Sequence, residues 1–243
     1  MKDGRAFSQG ASGILWVAVF LASSIGYGQT TFVDVADEAS LVALWQLDEA
    51  SGATSVANAA SASYAGTVVG APTLGVSSAM STLGTAVDFS GASGNRISVP
   101  YDAALNPESY TIEAWAQVQG GAGGYRSPLT SRRSSPTGGY IFYAADNNTW
   151  QYWGGPGWTT TSGPSVIQDQ WVHLAATYNN VSSTRTFYVN GHPVSSGTAT
   201  LAPNGANPLT IGAGGDSGTD YRFNGAVDNV AVLNEALAHQ SIA

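Results

Sequence analysis

The stretch at residues 170–194 constrains the fold more strongly than any other part of the chain. Its first half alternates with a period of two, which places successive side chains on opposite faces of a strand. One face would carry Val172, Leu174, Ala176 and Tyr178. A polar loop at 179–184 separates this strand from a β-branched and aromatic one at 185–189, and the Asn190-Gly191 pair then favours a type I′ hairpin turn. The stretch therefore predicts antiparallel strands joined by short connections.

Similar short runs recur along the rest of the chain, almost without helical periodicity. Further strands are predicted at 40–47, 66–69, 86–89, 96–99, 110–118, 127–130, 140–144, 209–211 and 226–233. Flexible connectors are expected at 120–124 and 131–139, and a short C-terminal helix at 235–242, capped by Asn234. With 30 glycines and only 10% charged residues, the composition is typical of an all-β protein. We expect one antiparallel β-sandwich domain at 41–243, preceded by a lead-in at 29–40.

The first 28 residues have the pattern of a signal peptide. Lys2 and Arg5 provide a positive start, an apolar run follows at 13–22, and small residues then lead to a cleavage site near Gly28. The apolar run is shorter than the roughly 20 residues that a membrane span needs, which disfavours the alternative of an uncleaved anchor. We therefore expect a secreted, extracytoplasmic protein, with no membrane insertion of the mature chain.

The charge balance of the mature chain excludes several classes of partner. Residues 1–28 carry two of the eight basic and one of the sixteen acidic residues, so six basic and fifteen acidic residues remain, a formal charge of −9. All six are arginines, and cysteine is absent. Such a surface repels phosphate and anionic lipid, so no nucleic-acid partner is expected. Neutral sugars or divalent cations suit it better.

Four motifs, in order, resemble the laminin-G-like domains of the concanavalin A-like lectin/glucanase superfamily. They are LWQLDEASG at 44–52, YTIEAW at 110–115, WVHLAATY at 171–178 with FYVNG at 187–191, and LTIG at 209–212 followed by FNGAVDNVAVL at 223–233. The resemblance implies a jelly-roll β-sandwich that serves as an exported recognition module. Such modules most often bind glycans or extracellular protein surfaces, and they often depend on calcium.

The resemblance also implies candidate calcium ligands. They are Asp48 and Asp228, with Asn58 at a position where relatives often have aspartate. Because Ca²⁺ takes six to eight oxygen ligands, acids that the fold brings together from distant segments can hold a structural ion. The loop acids Asp216 and Asp220 are a separate possibility, and all of these side chains have the alternative role of capping turns.

A cluster of aromatic residues is the candidate glycan site. It consists of Tyr143, Trp150, Tyr152, Trp153 and Trp158, with Asp146, Asn147, Asn148 and Gln151 nearby to bond sugar hydroxyls. Sugar rings stack their C–H faces on such side chains. On a strand, however, alternate residues face opposite ways, so about half of the cluster should belong to the core. Trp158 follows a glycine-rich segment at 154–157 that we expect to be an exposed loop, and it is the member least expected to be buried.

Catalytic chemistry has little support in the sequence. Glycoside hydrolysis needs two carboxyl groups at a defined separation, and the glucanase relatives supply them from a Glu-x-Asp-x-Glu strand. Glu113 has Thr111 and Trp115 at the corresponding positions instead. No Gly-x-Ser-x-Gly motif occurs, and His173 is expected to be a structural partner of Glu113. The first hypothesis is therefore a non-catalytic carbohydrate-binding module; the alternatives are an adhesive protein–protein interaction domain and, less favoured, a glycoside hydrolase.

Overall fold

Sixteen strands build two antiparallel sheets in the computed structural model, which describes residues 39–156, 159–215 and 221–242. The strands are β1 (Leu41–Trp45), β2 (Ser55–Val56), β3 (Gly66–Val69), β4 (Thr73–Ser77), β5 (Thr85–Asp88), β6 (Arg96–Val99), β7 (Tyr110–Val118), β8 (Leu129–Ser134), β9 (Thr137–Ala144), β10 (Thr149–Gly154), β11 (Thr159–Ser165), β12 (Trp171–Asn179), β13 (Thr184–Val189), β14 (His192–Thr198), β15 (Leu209–Ile211) and β16 (Gly225–Leu233). The expected signal peptide and most of the lead-in lie outside the described residues.

Sheet A has the strand order β14-β13-β12-β7-β16-β5-β4. The first strand, β1, pairs with the C-terminal half of β16, while β5 pairs with the N-terminal half of β16. The predicted alternation in β12 is confirmed, since the expected core face lies in the core: Val172, Leu174, Ala176 and Tyr178. The hairpin from β13 to β14 turns through Asn190 and Gly191 at φ angles of 51° and 75°, the two positive values that a type I′ turn requires.

Sheet B has the order β11-β10-β9-β8-β15-β6-β3-β2 and packs face to face with sheet A. The inner faces of both sheets enclose one large apolar core, which makes the molecule the predicted β-sandwich. Its largest fully buried side chains include Trp45, Trp150, Tyr140, Tyr152, Tyr178 and Phe142. The hydroxyl groups of Tyr110 and Tyr152 hydrogen-bond to each other across this core, 2.5 Å apart.

Three segments differ from the sequence-based prediction. The expected connector at 131–139 is largely the β8–β9 hairpin, so that Arg132 and Arg133 lie on a strand. The polar strand β11 has no apolar alternation to predict it, and it forms because β10 offers a free edge. The expected C-terminal helix is only a single 3₁₀ turn at His239–Ser241.

Among the described residues, no helix is both long enough and apolar enough to cross a membrane.

Candidate functional site

The alternation of β9 and β10 divides the predicted aromatic cluster between the two faces of sheet B. Trp150 and Tyr152 point inward and are fully buried in the core. Tyr143 and Trp153 point outward and join a separate apolar cluster. Part of the cluster is thus structural, as the alternation predicts, and the inclusion of Trp150 and Tyr152 in the glycan site is wrong, because both are enclosed in the core and the hydroxyl of Tyr152 is already bonded there.

The outward-facing residues belong to what we name the outer aromatic cluster, formed by Tyr125, Tyr143, Trp153 and Tyr221. Tyr143 lies at its base, 3% exposed, and the other three rings meet it edge-on at centroid distances of 5.0, 5.5 and 5.2 Å. The three surrounding rings are half-buried, so each presents part of its surface to solvent. Burial raises the pKa of the Tyr143 hydroxyl above its usual range. Tyr143 is therefore a support for the cluster, while the other three rings are available for contact.

Hydrogen bonds fix the orientation of the half-buried rings. Trp153 donates its indole Nε1–H to Oε1 of Gln151, 2.8 Å away, on the same face of β10. The pKa of the Tyr125 hydroxyl is raised by burial and by the neighbouring carboxylate of Asp146, to which it hydrogen-bonds. Asp146 and the adjacent Asn147 are exposed beside the cluster. The polar groups predicted for sugar hydroxyls are thus partly committed to positioning the rings and partly free to reach a ligand.

Two arginines pack against the outer aromatic cluster. Arg132 places its guanidinium 5.6 Å from the ring centre of Tyr221 and donates from Nη1 to the hydroxyl of Tyr143. Arg126 is buried behind Tyr125, where its guanidinium bonds Asn148 and two backbone carbonyl groups. These arginines, Tyr125 and Tyr221 have no part in the predicted site. Both tyrosines stand in glycine-rich segments without periodicity, and Arg132 falls in an expected connector. Their proximity appears only in the fold, through the bridge between Arg126 and Ala144, the hydrogen bond from the Ser127 N–H to the Tyr221 carbonyl, and the pairing of β8 with β9.

Trp158 lies outside the described residues, so its place in the candidate site stays a prediction. The segment before it differs from the expected exposed loop. Gly154 and Gly155 are buried. A Cβ atom at Gly155 would come within 2.8 Å of the backbone of Gly138, and one at Gly154 within 2.7 Å of the side chain of Leu201. These glycines allow close packing between segments, which is a structural role.

The predicted metal ligands Asp48 and Asp228 approach each other on sheet A. Asp228 pairs with Trp115 in β7 and lies where β1 and β5 meet along β16. Asp48, just after β1, accepts the backbone N–H of Thr85 at 2.6 Å. Its carboxylate fills the space beside Gly84, where a Cβ atom would lie 2.0 Å from Oδ1 and where φ is 80°. Only glycine fits there.

Asp228 is 0% exposed and accepts hydrogen bonds from the hydroxyl of Ser78 and the side-chain amide of Asn229. Burial raises its pKa to about 7; the Ser78 hydrogen bond opposes this, and the negative charge of Asp48 adds to it. The carboxylates of Asp48 and Asp228 therefore lack a positive charge to balance them. Nearby, the buried hydroxyl oxygen of Thr85 has no hydrogen-bond partner in the structure. Two carboxylates with hydroxyl groups beside them are oxygen donors of the kind that Ca²⁺ prefers, so the residues present fit such an ion.

Asn58 has a different role from the predicted one. Its side-chain oxygen accepts the backbone N–H groups of Leu44 and Ala60, and its amide nitrogen donates to Ser61 and Ser63. The side chain is buried and ties the loop after β2 to β1, with both lone pairs of its oxygen in use. The alternative ligands Asp216 and Asp220 lie outside the described residues. Within the parts of the chain that are described, no cluster of three or more His, Asp or Glu residues that could hold a metal occurs, so an ion at Asp48 and Asp228 would need hydroxyl, backbone or water oxygens for its remaining ligands.

His173 lies beside Glu113 as expected, on the outer face of sheet A. The His173 Nε2 and Glu113 Oε2 atoms are 3.7 Å apart, and both residues are largely buried. The imidazole ring also packs at 5.3 Å from the indole of Trp115. This pair lies on sheet A, whereas the outer aromatic cluster lies on sheet B. The two regions are therefore separate.

The two packed antiparallel sheets define the jelly-roll class of β-sandwich. A laminin G family model, described as the concanavalin A-like lectin/glucanases superfamily, matches residues 90–243. Since this is more than half of the chain, the protein belongs to the concanavalin A-like lectin/glucanase superfamily. A search of curated protein sequences finds no match.

Solved structures with this fold include binding domains and enzymes. The binding domain of Paraclostridial Mosquitocidal Protein 1 superposes with a TM-score of 0.66 at 13% identity, over 84% of this chain and 51% of that one. Trypanosoma rangeli sialidase superposes with a TM-score of 0.65 at 16% identity, over 89% of this chain and 33% of that one. Domain 4 of AbnA, a GH43 extracellular arabinanase from Geobacillus stearothermophilus, superposes with a TM-score of 0.62 at 18% identity. The match covers 84% of this chain and 96% of that one. The chain thus spans about half and a third of the length of the first two, and at these identities the likeness concerns the fold.

Proposed function

We propose that this protein is an exported, non-catalytic carbohydrate-binding module that holds its glycan on the outer face of sheet B. The observation that carries the proposal is the outer aromatic cluster, with three half-buried rings at fixed orientations and exposed polar groups beside them. Aromatic rings supply flat apolar contact area, and the hydroxyl groups of a sugar find partners in Asp146 and Asn147. A sugar ring seated on Trp153, Tyr125 or Tyr221 would use both.

The fold relatives support a binding role. Domain 4 of AbnA, which this chain matches over nearly the whole of that structure, was solved in complex with arabinotriose, and the sialidase in complex with sialic acid. Fold alone does not transfer a ligand, because function depends on the side chains placed on it. The aromatic side chains of this chain therefore remain the basis of the proposal.

The non-catalytic part of the proposal rests on access. Asp228 is the described carboxyl group whose pKa is raised to about 7 and that has a second carboxylate nearby. It is fully buried and hydrogen-bonded. A substrate cannot reach it. The adhesive alternative would need a broad apolar surface, whereas the exposed large apolar side chains among the described residues lie in separate segments: Met80, Tyr101, Ile167, Val181 and Val194.

We also propose that Asp48 and Asp228, with Ser78 and Thr85 nearby, hold a structural Ca²⁺ ion. The ion would supply the positive charge that the two carboxylates lack. It would fix the junction between β1, β5 and β16 and would have no direct contact with the outer aromatic cluster.

The glycan proposal is tested with a matched pair of tryptophan variants. Trp153→Ala removes a ring from the outer aromatic cluster, while Trp171→Ala removes a half-buried ring from the outer face of sheet A. A glycan array on the mature protein identifies ligands, and titration calorimetry measures their affinity. We expect Trp153→Ala to weaken binding roughly ten-fold, about 1.4 kcal/mol, and Trp171→Ala to leave it unchanged. Equal affinities for both variants and the wild type would contradict the assignment of this face.

A further inference from the structure

A cleft of about 500 Å³ opens next to the outer aromatic cluster. Tyr125 and Tyr221, which belong to that cluster, form part of its wall, and Arg126, Arg222 and Asn224 form much of the rest. The cleft is therefore continuous with the proposed glycan-binding face. A sugar seated on the two tyrosines would extend a substituent into it.

Arg126 makes the cleft electropositive. It is only 3% exposed, and its guanidinium donates to the carbonyl oxygens of Gly120 and Ala145 and to the side-chain oxygen of Asn148, all of which are neutral. Its Nε–H has no partner, and no described carboxylate lies within salt-bridge distance. Burial lowers the pKa of this guanidinium from its usual value. Arginine keeps its charge in spite of this, and a buried charge without a counter-charge acts strongly on its surroundings.

Arg222 adds a second positive charge at the mouth of the cleft. It is exposed, and none of the described residues forms a hydrogen bond or an ion pair with it. Arg132 stands over the ring of Tyr221 from another side. Three of the six arginines of residues 29–243 thus lie beside Tyr125 and Tyr221, in a chain whose formal charge over those residues is −9. A concentration of positive charge against the overall sign of the protein favours an anionic ligand at this place.

Asp146 is the described carboxylate to weigh against these arginines. It is exposed and hydrogen-bonds to the hydroxyl of Tyr125, on the side of the cluster where β9 ends. One exposed carboxylate is opposed by three guanidinium groups, one of which is buried. Among the described residues, the balance of charge at the cleft is therefore positive.

We propose that the cleft beside Tyr125 and Tyr221 receives the acidic group of an anionic glycan, a carboxylate or a sulfate, which Arg222 contacts and Arg126 attracts. This inference rests on the proposed glycan-binding function and names the class of glycan. The planar fork of arginine donates two parallel hydrogen bonds to either acid, while the tyrosine rings contact the sugar that carries it. Arg222 is the contacting residue because its guanidinium is exposed and available.

The first test compares matched ligand pairs in which one member carries an acidic group and the other has that group neutralised or removed. The pairs are trigalacturonate and its methyl ester, sialyllactose and its methyl ester, and a sulfated galactose oligosaccharide and its unsulfated form. Affinities are measured by calorimetry in low salt and again in high salt. We expect at least one acidic member to bind about ten-fold or more tightly than its neutral partner, and the preference to shrink in high salt, because salt screens exposed charges. The carboxylate and sulfate pairs show which acid the cleft accepts.

The second test compares two arginine variants with the same change in net charge. Arg222→Gln removes the exposed cleft arginine, and Arg133→Gln removes an arginine of the β8–β9 hairpin outside the cleft. We expect Arg222→Gln to reduce the preference for the acidic ligand roughly three- to ten-fold and Arg133→Gln to leave it unchanged. Asp146→Asn should strengthen the binding of the acidic ligand, since it removes the opposing charge.

The outcomes separate this inference from the proposed function. If glycans bind in a Trp153-dependent way but no acidic member is preferred over its neutral partner, the inference is overturned and the proposed function stands. The inference is likewise overturned, and the proposed function kept, if Arg133→Gln weakens acidic binding as much as Arg222→Gln. If neither acidic nor neutral glycans bind the folded protein, the proposed function fails, and the inference fails with it.

Discussion

The outer faces of the two sheets carry similar aromatic side chains but differ in what covers them. On sheet A, the segment at 234–242 crosses the face. The backbone N–H of Leu237 donates to the hydroxyl of Thr111, the ring of His239 stacks on Tyr188 at 5.8 Å, and Ile242 is buried against both Tyr188 and Ala175. The part of this face around Tyr188 and Ala175 is thus covered by the chain itself.

On sheet B, no comparable segment among the described residues crosses the outer aromatic cluster, and its three upper rings remain half-buried. The difference shows that aromatic content alone does not indicate a binding face. What matters is whether the chain has already used the rings for its own packing. Variants on the two sheets can test this contrast, from the largest expected effect to the smallest.

The largest effect should separate the inner and outer faces of one strand. Trp150→Ala removes a fully buried ring from the core, and we expect it to lower the free energy of unfolding by about 3–5 kcal/mol. Trp153→Ala, three residues along β10, removes a half-buried ring and should cost about 1 kcal/mol. Urea denaturation of the two variants measures both values. Equal losses would mean that the outer aromatic cluster is a second core.

The second prediction concerns the pH dependence of sheet A in metal-free buffer. The pKa of Asp228 is about 7 in the folded protein against 3.8 for the free side chain, so folding favours the protonated form. The stability that this proton provides is complete below about pH 4 and is lost as the pH rises through 7. The shift corresponds to at most about 4 kcal/mol. Asp228→Asn should remove this dependence, and thermal unfolding from pH 4 to 8 measures it. Parallel curves for variant and wild type would refute the raised pKa.

The third prediction concerns calcium at neutral pH. An ion that binds only the native state at 100 times its Kd stabilises that state by about 2.7 kcal/mol. We expect chelation to lower the melting temperature of the wild type and of Trp153→Ala, but not of Asp228→Asn. Loss of the calcium effect in Trp153→Ala would show that the two sheets are coupled, against their separation in the structure.

The smallest effect concerns the segment that covers sheet A. Ile242→Ala should lower the free energy of unfolding by about 1–2 kcal/mol, because Ile242 is buried in a small cluster at the edge of the structure. Ile167→Ala is the matched control, since Ile167 is 60% exposed and its loss should change stability by less than about 0.5 kcal/mol. If denaturation shows the same small change for both, the C-terminal segment does not close the sheet.

The fold was predictable because its central strands repeat a simple pattern. β3, β6, β7 and β15 begin and end at the predicted residues, and the core face of β12 is the predicted one. The strands that escaped prediction, β2, β4 and β11, are short or polar and owe their conformation to a neighbouring strand. Propensity cannot reveal a strand of that kind, because its stability comes from pairing.

The candidate site was predictable only in part. Alternation along β10 assigned Trp150 to one face and Trp153 to the other, but it could not say which face was the core. Tyr143 was predicted as a ligand contact and lies beneath other rings, because Tyr125 and Tyr221 come from distant loops. Asp48 and Asp228 are 180 residues apart in sequence, so no local pattern connects them. The family resemblance suggested that they share a site, and the pairing of β1 with β16 brings their segments together.

The position of β16 determines when sheet A can form. This strand is the last of the sixteen described strands, yet it lies inside the sheet, between β7 on one side and β1 and β5 on the other. Until it has been synthesised, β7 and β5 each lack a neighbour, and the growing chain exposes strand edges that can pair with other chains. Closing contacts between such distant segments is slow, in the range of milliseconds to seconds. The same topology should make unfolding slow, because a strand must be withdrawn from between two others before the sheet can open.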